Sequence, residues 1–303
     1  MSISIICPLY NGEKYIKNMN KNLMSQKIDD KVEITYILTK TSDNSEEILK
    51  EINADYKIID AQDFSHSLTR EKDDYEAKGE IIVFITQYVI IEDNTWLYNL
   101  TKDIKSGTVD AAFSKQICTN KTIERYTRMK NYPDESRIAS KDTIKELGIM
   151  SYFYSDASSA IRKEVFVKLN GYDNKDLLTN EDMYIAYKLI NNGYKIKYCA
   201  DSKVIHSHKY SYKSLFKRYF DQGVFLKQHS YIKDSGATGG AIALVKFVLN
   251  KSLKEGNFKA VLDIIPNFGV RFIANKFGSR YESLSRNKIL KYTSNKNYWI
   301  RNK

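Results

Sequence analysis

Short apolar segments alternate with polar, helix-forming segments through the first hundred residues. Residues 2–7, 32–38, 56–59 and 81–85 have the length and composition of strands, and the last of these is apolar at every position. A turn-rich loop and a helix-forming segment separate each strand from the next. This alternation predicts a doubly wound α/β sheet with parallel strands. We expect its helices to end near residue 26 and to span residues 46–52 and 66–78.

Ligands of such sheets bind at the carboxyl ends of the strands, so the loops that follow the strands carry the functional information. These loops are residues 8–12, 39–45, 63–70 and 86–93. The chain has no GxGxxG or P-loop pattern, which disfavours dinucleotide enzymes and P-loop NTPases. It also has no G-x-S-x-G nucleophile elbow.

The pattern is less regular after residue 110. Residues 155–169 predict a strand or loop that leads into a helix, and residues 181–192 predict a helix that ends at Gly193. Residues 194–198 and 203–208 have the pattern of two short strands.

Charge divides the chain into two parts. Residues 203–303 carry 20 Lys and Arg against 5 Asp and Glu, a net charge of +15, and because the whole chain carries +11, residues 1–202 have a net charge of −4. Basic segments attract phosphate groups, whether on nucleic acid or on anionic lipid. The basic C-terminal third therefore predicts a second task beside that of the α/β part.

Three apolar and basic stretches make up this C-terminal third: residues 212–227, 241–253 and 258–277. Helical spacing in the first stretch predicts a basic amphipathic helix. Long apolar runs between the charges favour contact with a membrane over nucleic acid. The apolar side of the first helix holds Leu215, Phe216, Tyr219, Phe220 and Leu226, and its basic residues are Lys213, Lys217, Arg218 and Lys227.

Cysteine use and hydropathy limit the compartment. Cys7, Cys118 and Cys199 are scattered, which argues against a disulfide framework and fits a reducing compartment. The first residues form a strand pattern without a basic leader. No run reaches the roughly 18 apolar residues that span a bilayer; the longest candidate, residues 241–249, contains Lys246.

Three groups of residues could carry chemistry. Glu181 and Asp182 follow Asn180 at the start of a helix, where carboxylates are either simple caps or an ionised general base, and spacing alone gives these two readings about equal weight. His66 and Arg70 lie on one face of a helix and could meet a diphosphate, although spacing alone favours a capping residue and a surface charge.

The third group is His206-Ser207-His208, which would place both imidazoles on one face of a strand. Two histidines at this spacing can bind a metal ion if a carboxylate completes the set. No third ligand is visible in the sequence, so spacing alone favours a polar surface pair.

Taken in order, these segments resemble family 2 glycosyltransferases of the GT-A fold, and among them the bacterial rhamnosyltransferases. The resemblance runs from residue 2 to about residue 283. It rests on ISIICPLYNG, TSDNS, FSHSLTR, SDASSAIRK, NEDM, VIHSHKYS, LFKRYFDQG and RFIANKFG. The resemblance implies that Asp182 is the catalytic base and that Asp156 and Glu181 face the acceptor. It places Pro8, Tyr10, Asn11, Asp43, His66, Thr69, Arg70 and Gln87 at the donor.

The chain departs from the family pattern at two places. The family usually has Thr-Gln-Asp after the fourth strand, where the Asp binds a divalent cation (Mg or Mn), but this chain has Thr86-Gln87-Tyr88. The acidic residue that usually contacts the base aligns with Leu38 or Thr39. A cation held by His206 and His208 with water, substitution of the cation by Arg70, and a degenerate donor site all remain open.

Together these features predict a GT-A domain over residues 1–208 and a basic helical, membrane-associating region over residues 209–303. The resemblance implies an inverting transfer from dTDP-L-rhamnose to a lipid-linked saccharide, by a peripheral protein at the cytoplasmic face of the bacterial plasma membrane. A homodimer or a complex with other transferases would fit this setting. The alternative is a catalytically degenerate homologue that positions another transferase, and Tyr88 is its main support.

Overall fold

The structure, a computed structural model, describes residues 1–233 and 240–302. In this part of the chain eight strands form one mixed sheet with the order β3-β2-β1-β4-β7-β5-β8-β6. The strands are β1 (Ser2–Leu9), β2 (Lys31–Thr39), β3 (Asp55–Ile59), β4 (Ile81–Ile85), β5 (Ala111–Ile117), β6 (Arg137–Ala139), β7 (Ser158–Arg162) and β8 (Ile196–Ile205).

Helices connect the strands and continue after them. Those within the sheet region are α1 (Ile16–Met24), α2 (Ser45–Glu51), α3 (His66–Glu76), α4 (Trp96–Lys105), α5 (Ile123–Asn131), α6 (Ile144–Leu147), α7 (Lys163–Lys168) and α8 (Glu181–Asn191). The C-terminal helices are α9 (Tyr212–Gln228), α10 (Ser230–Lys233), α11 (Gly240–Lys254), α12 (Phe258–Gly278), α13 (Arg286–Tyr292) and α14 (Lys296–Arg301). Three short 3-10 turns span Lys141–Thr143, Gly148–Tyr152 and Tyr281–Ser283.

The first four strands confirm the predicted α/β architecture. β1 pairs in parallel with β2 and with β4, and β2 pairs in parallel with β3. All five residues of β4 are buried because helices cover both faces of the sheet at its centre. The sheet becomes mixed beyond this point, since β7 runs antiparallel to both β4 and β5.

The prediction of two short strands before residue 208 is wrong. One strand, β8, spans this region and changes its register against β5 between Ser114 and Lys115. His206 and His208 therefore lie beyond the end of the strand and not on it. An isolated bridge between Ile90 and Ile205 ties the loop after β4 to this end of β8.

The C-terminal helices pack against the sheet region and against one another. A Cβ atom at Gly223 of α9 would collide with the backbone carbonyl of Asn275, and one at Gly278 of α12 would collide with that of Phe220, so the two helices are in backbone contact. The apolar side of α9 is consequently buried in the protein. The amphipathic pattern was correct, but it records packing against protein.

The last described helix returns to the sheet region. On α14, the guanidinium of Arg301 forms an ion pair with Asp176 (Nε to Oδ2, 2.9 Å) and donates to the carbonyls of Gln62 and Phe64 at 2.8 and 3.0 Å. These contacts fasten the loop that leads into α3.

Two remaining observations concern the surface and the thiols. None of the described helices combines the length and apolar character needed to cross a membrane. The three cysteines are free and buried.

Candidate active site

The loops after β1, β2 and β3 enclose a cavity of about 510 Å³ at the carboxyl edge of the sheet. It is lined by Tyr10, Asn11, Lys40, Thr41, Ser42, Asp60 and Ala61. Tyr10 and Asn11 were predicted at the donor, and Pro8, inside β1, does not line the cavity. Lys40 and Asp60 were missed; their only sequence signal is that each follows a strand end, where they form an ion pair at 3.4 Å.

Asp43 shapes this cavity from behind. Its carboxylate accepts hydrogen bonds from the backbone amides of Glu13 (3.1 Å) and Ser45 (3.2 Å) and so holds the first two loops together. Burial opposes its ionisation, but the hydrogen bond with the Ser45 side chain, followed by those with the two amides, outweighs burial and lowers the pKa of Asp43. The residue is thus an ionised brace between the loops.

Gln87 braces the first loop in the same way. Its side-chain carbonyl accepts from the Tyr10 amide and its side-chain amide donates to the Tyr10 carbonyl, both at 2.8 Å. Because both ends of the side chain are committed to this backbone, Gln87 positions Tyr10 and does not itself face the cavity.

A buried ion pair connects α3 to α8. The Nη1 of Arg70 donates to the Glu181 Oε1 at 2.8 Å, and its Nε lies 3.9 Å from the Asp156 Oδ2. Asp156 also accepts from Ser159 at 2.9 Å and from the Tyr172 hydroxyl at 3.1 Å. Arg70 was predicted at the diphosphate. The structure buries it beneath the space bounded by His66, Asp182, His208 and Arg218, which we call the cleft, and there it neutralises two carboxylates.

The neighbours of Arg70 on α3 have separate roles. The Thr69 hydroxyl accepts a hydrogen bond from the Ser65 amide at 3.1 Å and so stabilises the start of the helix. His66 is half-exposed to the cleft, and its Nδ1 lies 3.9 Å from the Glu181 Oε1. Of the predicted diphosphate residues on α3, His66 has the position to contact a ligand.

Asp182 lies at the start of α8, directly beside this cluster. Asn180, two residues earlier, has the left-handed conformation (φ 59°) and makes no side-chain cap, whereas the Asp182 carboxylate accepts a hydrogen bond from the Met183 amide at 2.8 Å. Burial, followed by the negative charges of Glu181 and Asp156, raises the pKa of Asp182 well above its ordinary value. Burial also raises the pKa of Asp156 to about 6, against the opposing charge of Arg70. A carboxylate with a raised pKa in a cleft is suited to accept a proton.

The two imidazoles after β8 meet, although not on a strand. The Nε2 atoms of His206 and His208 lie 2.6 Å apart, and the His206 Nδ1 lies 2.8 Å from the Gln116 Oε1. Burial and the charge of Arg128 lower the pKa of His206 to about 2 and that of His208 to about 4. Both rings are therefore neutral near pH 7, and one Nε2–H donates to the other ring.

Tyr88 occupies the loop beside this pair. Its ring makes edge contacts with Tyr15 at 5.3 Å and with His208 at 6.1 Å. Among the described residues, no group of three or more His, Cys, Asp or Glu side chains is arranged to hold a metal ion. A phenol is a poor ligand for Mg²⁺ or Mn²⁺, which prefer carboxylate oxygens. The residues present do not fit a divalent-cation site.

Arg218 is the cleft residue that sequence reasoning assigned elsewhere. It was placed on the basic side of α9, but its guanidinium lies 5.7 Å from the Tyr210 ring centre, and Tyr210 stacks on His208 at 5.3 Å. After burial and Arg128, its charge also contributes to the low pKa of His208. No periodicity could reveal that this side of the helix faces a cleft.

The fold of this molecule is that of nucleotide-sugar transferases. The mannosyltransferase PcManGT from Pyrobaculum calidifontis, solved with GDP-Man and Mn²⁺, superposes with a TM-score of 0.59 at 14% identity, over 93% of this chain and 88% of that chain. S. aureus TarS 1-349 in complex with UDP-GlcNAc gives a TM-score of 0.52 at 15% identity, over 94% and 93%. At these identities the likeness establishes the GT-A fold.

Sequence comparison then gives the family. Residues 4–169 match Glycosyl transferase family 2. O-antigen chain rhamnosyltransferase WbaN of Salmonella anatum is 30% identical over 98% of this chain and 96% of the relative. O-antigen chain rhamnosyltransferase RfbN of Salmonella typhimurium is 31% identical over 99% and 96%. The chain belongs to glycosyl transferase family 2 and is a glycosyltransferase.

Proposed function

We propose that this glycosyltransferase moves L-rhamnose from dTDP-L-rhamnose onto a lipid-linked saccharide during synthesis of a bacterial envelope polysaccharide. Two full-length relatives that bear the name rhamnosyltransferase support the sugar. The observation that carries the reaction type is Asp182, a cleft carboxylate whose raised pKa suits a general base.

The proposed reaction inverts the anomeric centre. The acceptor hydroxyl attacks the anomeric carbon, the bond to the donor diphosphate breaks, and the acceptor proton passes to Asp182. The nucleoside diphosphate leaves with the bonding electrons, and His66 faces it from α3. Arg70 keeps Glu181 ionised and in place, which fixes the start of α8. The cavity beside Tyr10 and Asn11 would hold the nucleoside.

The C-terminal helices offer a surface for a lipid-linked acceptor. Leu262 and Ile265 on α12 are 80% and 84% exposed, and basic side chains accompany them. Further exposed apolar residues on α11 and α12 are Ile242, Leu253, Phe258, Phe272 and Ile273. A cavity of about 570 Å³ lies between α12 and the first turn of α9, and Tyr210, the neighbour of His208, lines it. This surface supports peripheral attachment to a membrane with the acceptor entering beside α12, and we propose the cytoplasmic face as its place.

The proposed membrane attachment predicts that negative charges introduced on α12 weaken membrane binding strongly. The double variant Leu262→Glu/Ile265→Glu should bind vesicles that contain phosphatidylglycerol at least about tenfold more weakly, because two apolar side chains would no longer enter the interface. Sedimentation with such vesicles measures this. Met24→Glu introduces a negative charge at an apolar residue of α1 that is 71% exposed, and this variant should bind normally. Equal binding by all three proteins would contradict the proposal.

The pH dependence of kcat/KM should reflect the raised pKa of Asp182 in its cluster with Asp156 and Glu181. Asp182 must be ionised to act as a base, and its pKa is raised, so kcat/KM should fall with decreasing pH at values above the ordinary carboxyl range. Asp156→Asn removes one negative charge that raises the pKa of Asp182, so the acid limb should move to lower pH. A limb that stays in place in this variant would show that Asp182 does not set it.

The direct test is transfer by the purified protein across a donor panel of dTDP-L-rhamnose, UDP-sugars and GDP-sugars, with membrane extract as the acceptor source. We expect turnover of dTDP-L-rhamnose above the others. Turnover of a different donor would change the sugar that we propose but leave the proposed type of reaction unchanged. Absence of turnover and of binding for every donor would favour the degenerate, partner-binding homologue.

A further inference from the structure

Arg218 projects into the active-site cleft without an ion pair. Within residues 1–233 and 240–302, no carboxylate lies within salt-bridge distance of its guanidinium and no hydrogen bond from it is found. The other two arginines at the cleft are committed: Arg70 to Glu181 at 2.8 Å and Arg128 to Glu124 at 3.0 Å. An unpaired guanidinium among potential ligand-binding groups is a ready site for an anion.

The position of Arg218 is fixed by the packing of α9. Asp221, one turn further along, accepts from the Thr293 hydroxyl at 2.7 Å and from the Ser294 amide at 2.8 Å, and Gly223 touches the backbone of α12. Because the helix cannot rotate or slide without breaking these contacts, the backbone that carries Arg218 is held beside the cleft. Preorganised charge is the form in which a protein stabilises a developing anion most effectively.

Ring contacts place Arg218 on the Tyr88 side of the cleft: its guanidinium lies over Tyr210, Tyr210 stacks on His208, and the His208 ring contacts that of Tyr88 at 6.1 Å. Desolvation lowers the pKa of the half-exposed His66; Glu181 opposes this effect, and the charges of Arg70 and then Arg218 add to it. The charge of Arg218 therefore reaches both sides of the cleft, whereas the Tyr88 side supplies no carboxylate that could hold a metal ion.

We propose that Arg218 binds the diphosphate of the donor and neutralises it as it leaves, in place of a divalent cation. This inference rests on the proposed glycosyl transfer and adds a residue and a charge source to it. The bond from the anomeric carbon to the diphosphate oxygen breaks, the electron pair stays on that oxygen, and the guanidinium donates hydrogen bonds to it.

Calorimetric titration of the full chain with dTDP and with thymidine, in EDTA, tests this. Arg218→Met should weaken dTDP binding by roughly 10- to 100-fold, the range for a charge-assisted hydrogen bond, and leave thymidine binding unchanged. Arg218→Lys should bind dTDP with an affinity between those of Arg218→Met and the unmodified protein. The matched control Lys213→Met removes an exposed charge from the same helix and should bind dTDP like the unmodified protein.

The outcomes separate the two proposals. Equal dTDP affinity in Arg218→Met and the unmodified protein would overturn the role of Arg218 and leave the transferase proposal intact. Loss of dTDP binding on adding EDTA to the unmodified protein would overturn the metal-free site. Failure of the unmodified protein to bind dTDP, UDP or GDP under any condition would overturn the proposed function, and this inference with it. Thermal melts followed by circular dichroism check that each variant is folded.

Discussion

Replacing Asp182 with asparagine is expected to lower the turnover number by roughly 10²- to 10⁴-fold, the contribution of a general base. The amide has the shape of the carboxylate and can still accept the Met183 amide hydrogen bond, which is 2.8 Å long in the structure. The affinity for dTDP should stay within about threefold, because Asp182 acts on the acceptor proton and not on the nucleotide. Steady-state kinetics together with titration calorimetry separate the two effects.

The same variant should be more stable at neutral pH. The pKa of Asp182 is raised in the folded protein, so the folded state holds its proton more tightly than the unfolded chain does. Stability contributed by this group is present at low pH and decreases as the pH rises through the folded pKa. Above that pKa the ionised side chain destabilises the fold, and Asp182→Asn removes the cost. Urea unfolding at pH 5 and pH 8 should show a larger gain at pH 8.

Asp173→Asn is the matched control for this prediction. Asp173 lies in the loop before α8 and forms an ion pair with Lys188 at 2.6 Å. Burial opposes its ionisation, but the hydrogen bonds from Lys188 and Tyr184 prevail and lower its pKa, so its neutralisation should destabilise the protein at neutral pH and spare turnover. The two variants thus have opposite expected signs in stability at neutral pH, and only Asp182→Asn should lower turnover. Full activity in Asp182→Asn would exclude Asp182 as the base.

Replacing Arg70 with methionine should destabilise the fold by about 3–5 kcal/mol, because removal of one partner leaves buried charge uncompensated. The guanidinium is buried and pairs with Glu181, with Asp156 close by. Neutralising Glu181 as well, in Arg70→Met/Glu181→Gln, should restore part of the loss. Urea midpoints of the three proteins measure these differences.

Lys50→Met provides the comparison for an exposed pair. Lys50 and Glu46 on α2 are 2.6 Å apart but lie in solvent, with 59% and 37% of their side chains exposed. Such pairs contribute less than about 1 kcal/mol, so the unfolding midpoint should hardly move. If Arg70→Met were no more destabilising than Lys50→Met, the buried cluster would not hold α3 and α8 together.

The sequence predicted the parallel half of the sheet well because its signals are local. Each of the first four strands is a short apolar run bounded by turn residues, and chain order alone determines which loops share an edge. The strand β8 was divided into two because Asp201 and Ser202 interrupt its apolar pattern, whereas its pairing with β5 and a shift in register carry the strand through them. That information is not local.

The sequence predicted which residues belong to the site better than it predicted how they are arranged. Arg70 and Glu181 are 111 positions apart, so nothing in their spacing shows that they pair with each other beneath the cleft. Arg218 was assigned to the basic side of an amphipathic helix, because an amphipathic pattern defines two faces of a helix without saying what each face meets. The apolar face of α9 meets α12, and its Arg218 side meets the cleft.

The attachment of Arg301 to the loop before α3 has a consequence for biosynthesis. The strands of the sheet can pair as soon as residue 205 has left the ribosome. The carbonyls of Gln62 and Phe64, however, accept the hydrogen bonds of the Arg301 guanidinium only when residue 301 emerges. For about a third of its translation, the nascent chain would carry an assembled sheet whose loop before α3 still lacks its contacts with Arg301. A reporter fused after residue 301 would therefore lie against the donor loop, and one fused before Met1 would lie beside Asp30, at the opposite end of the parallel strands.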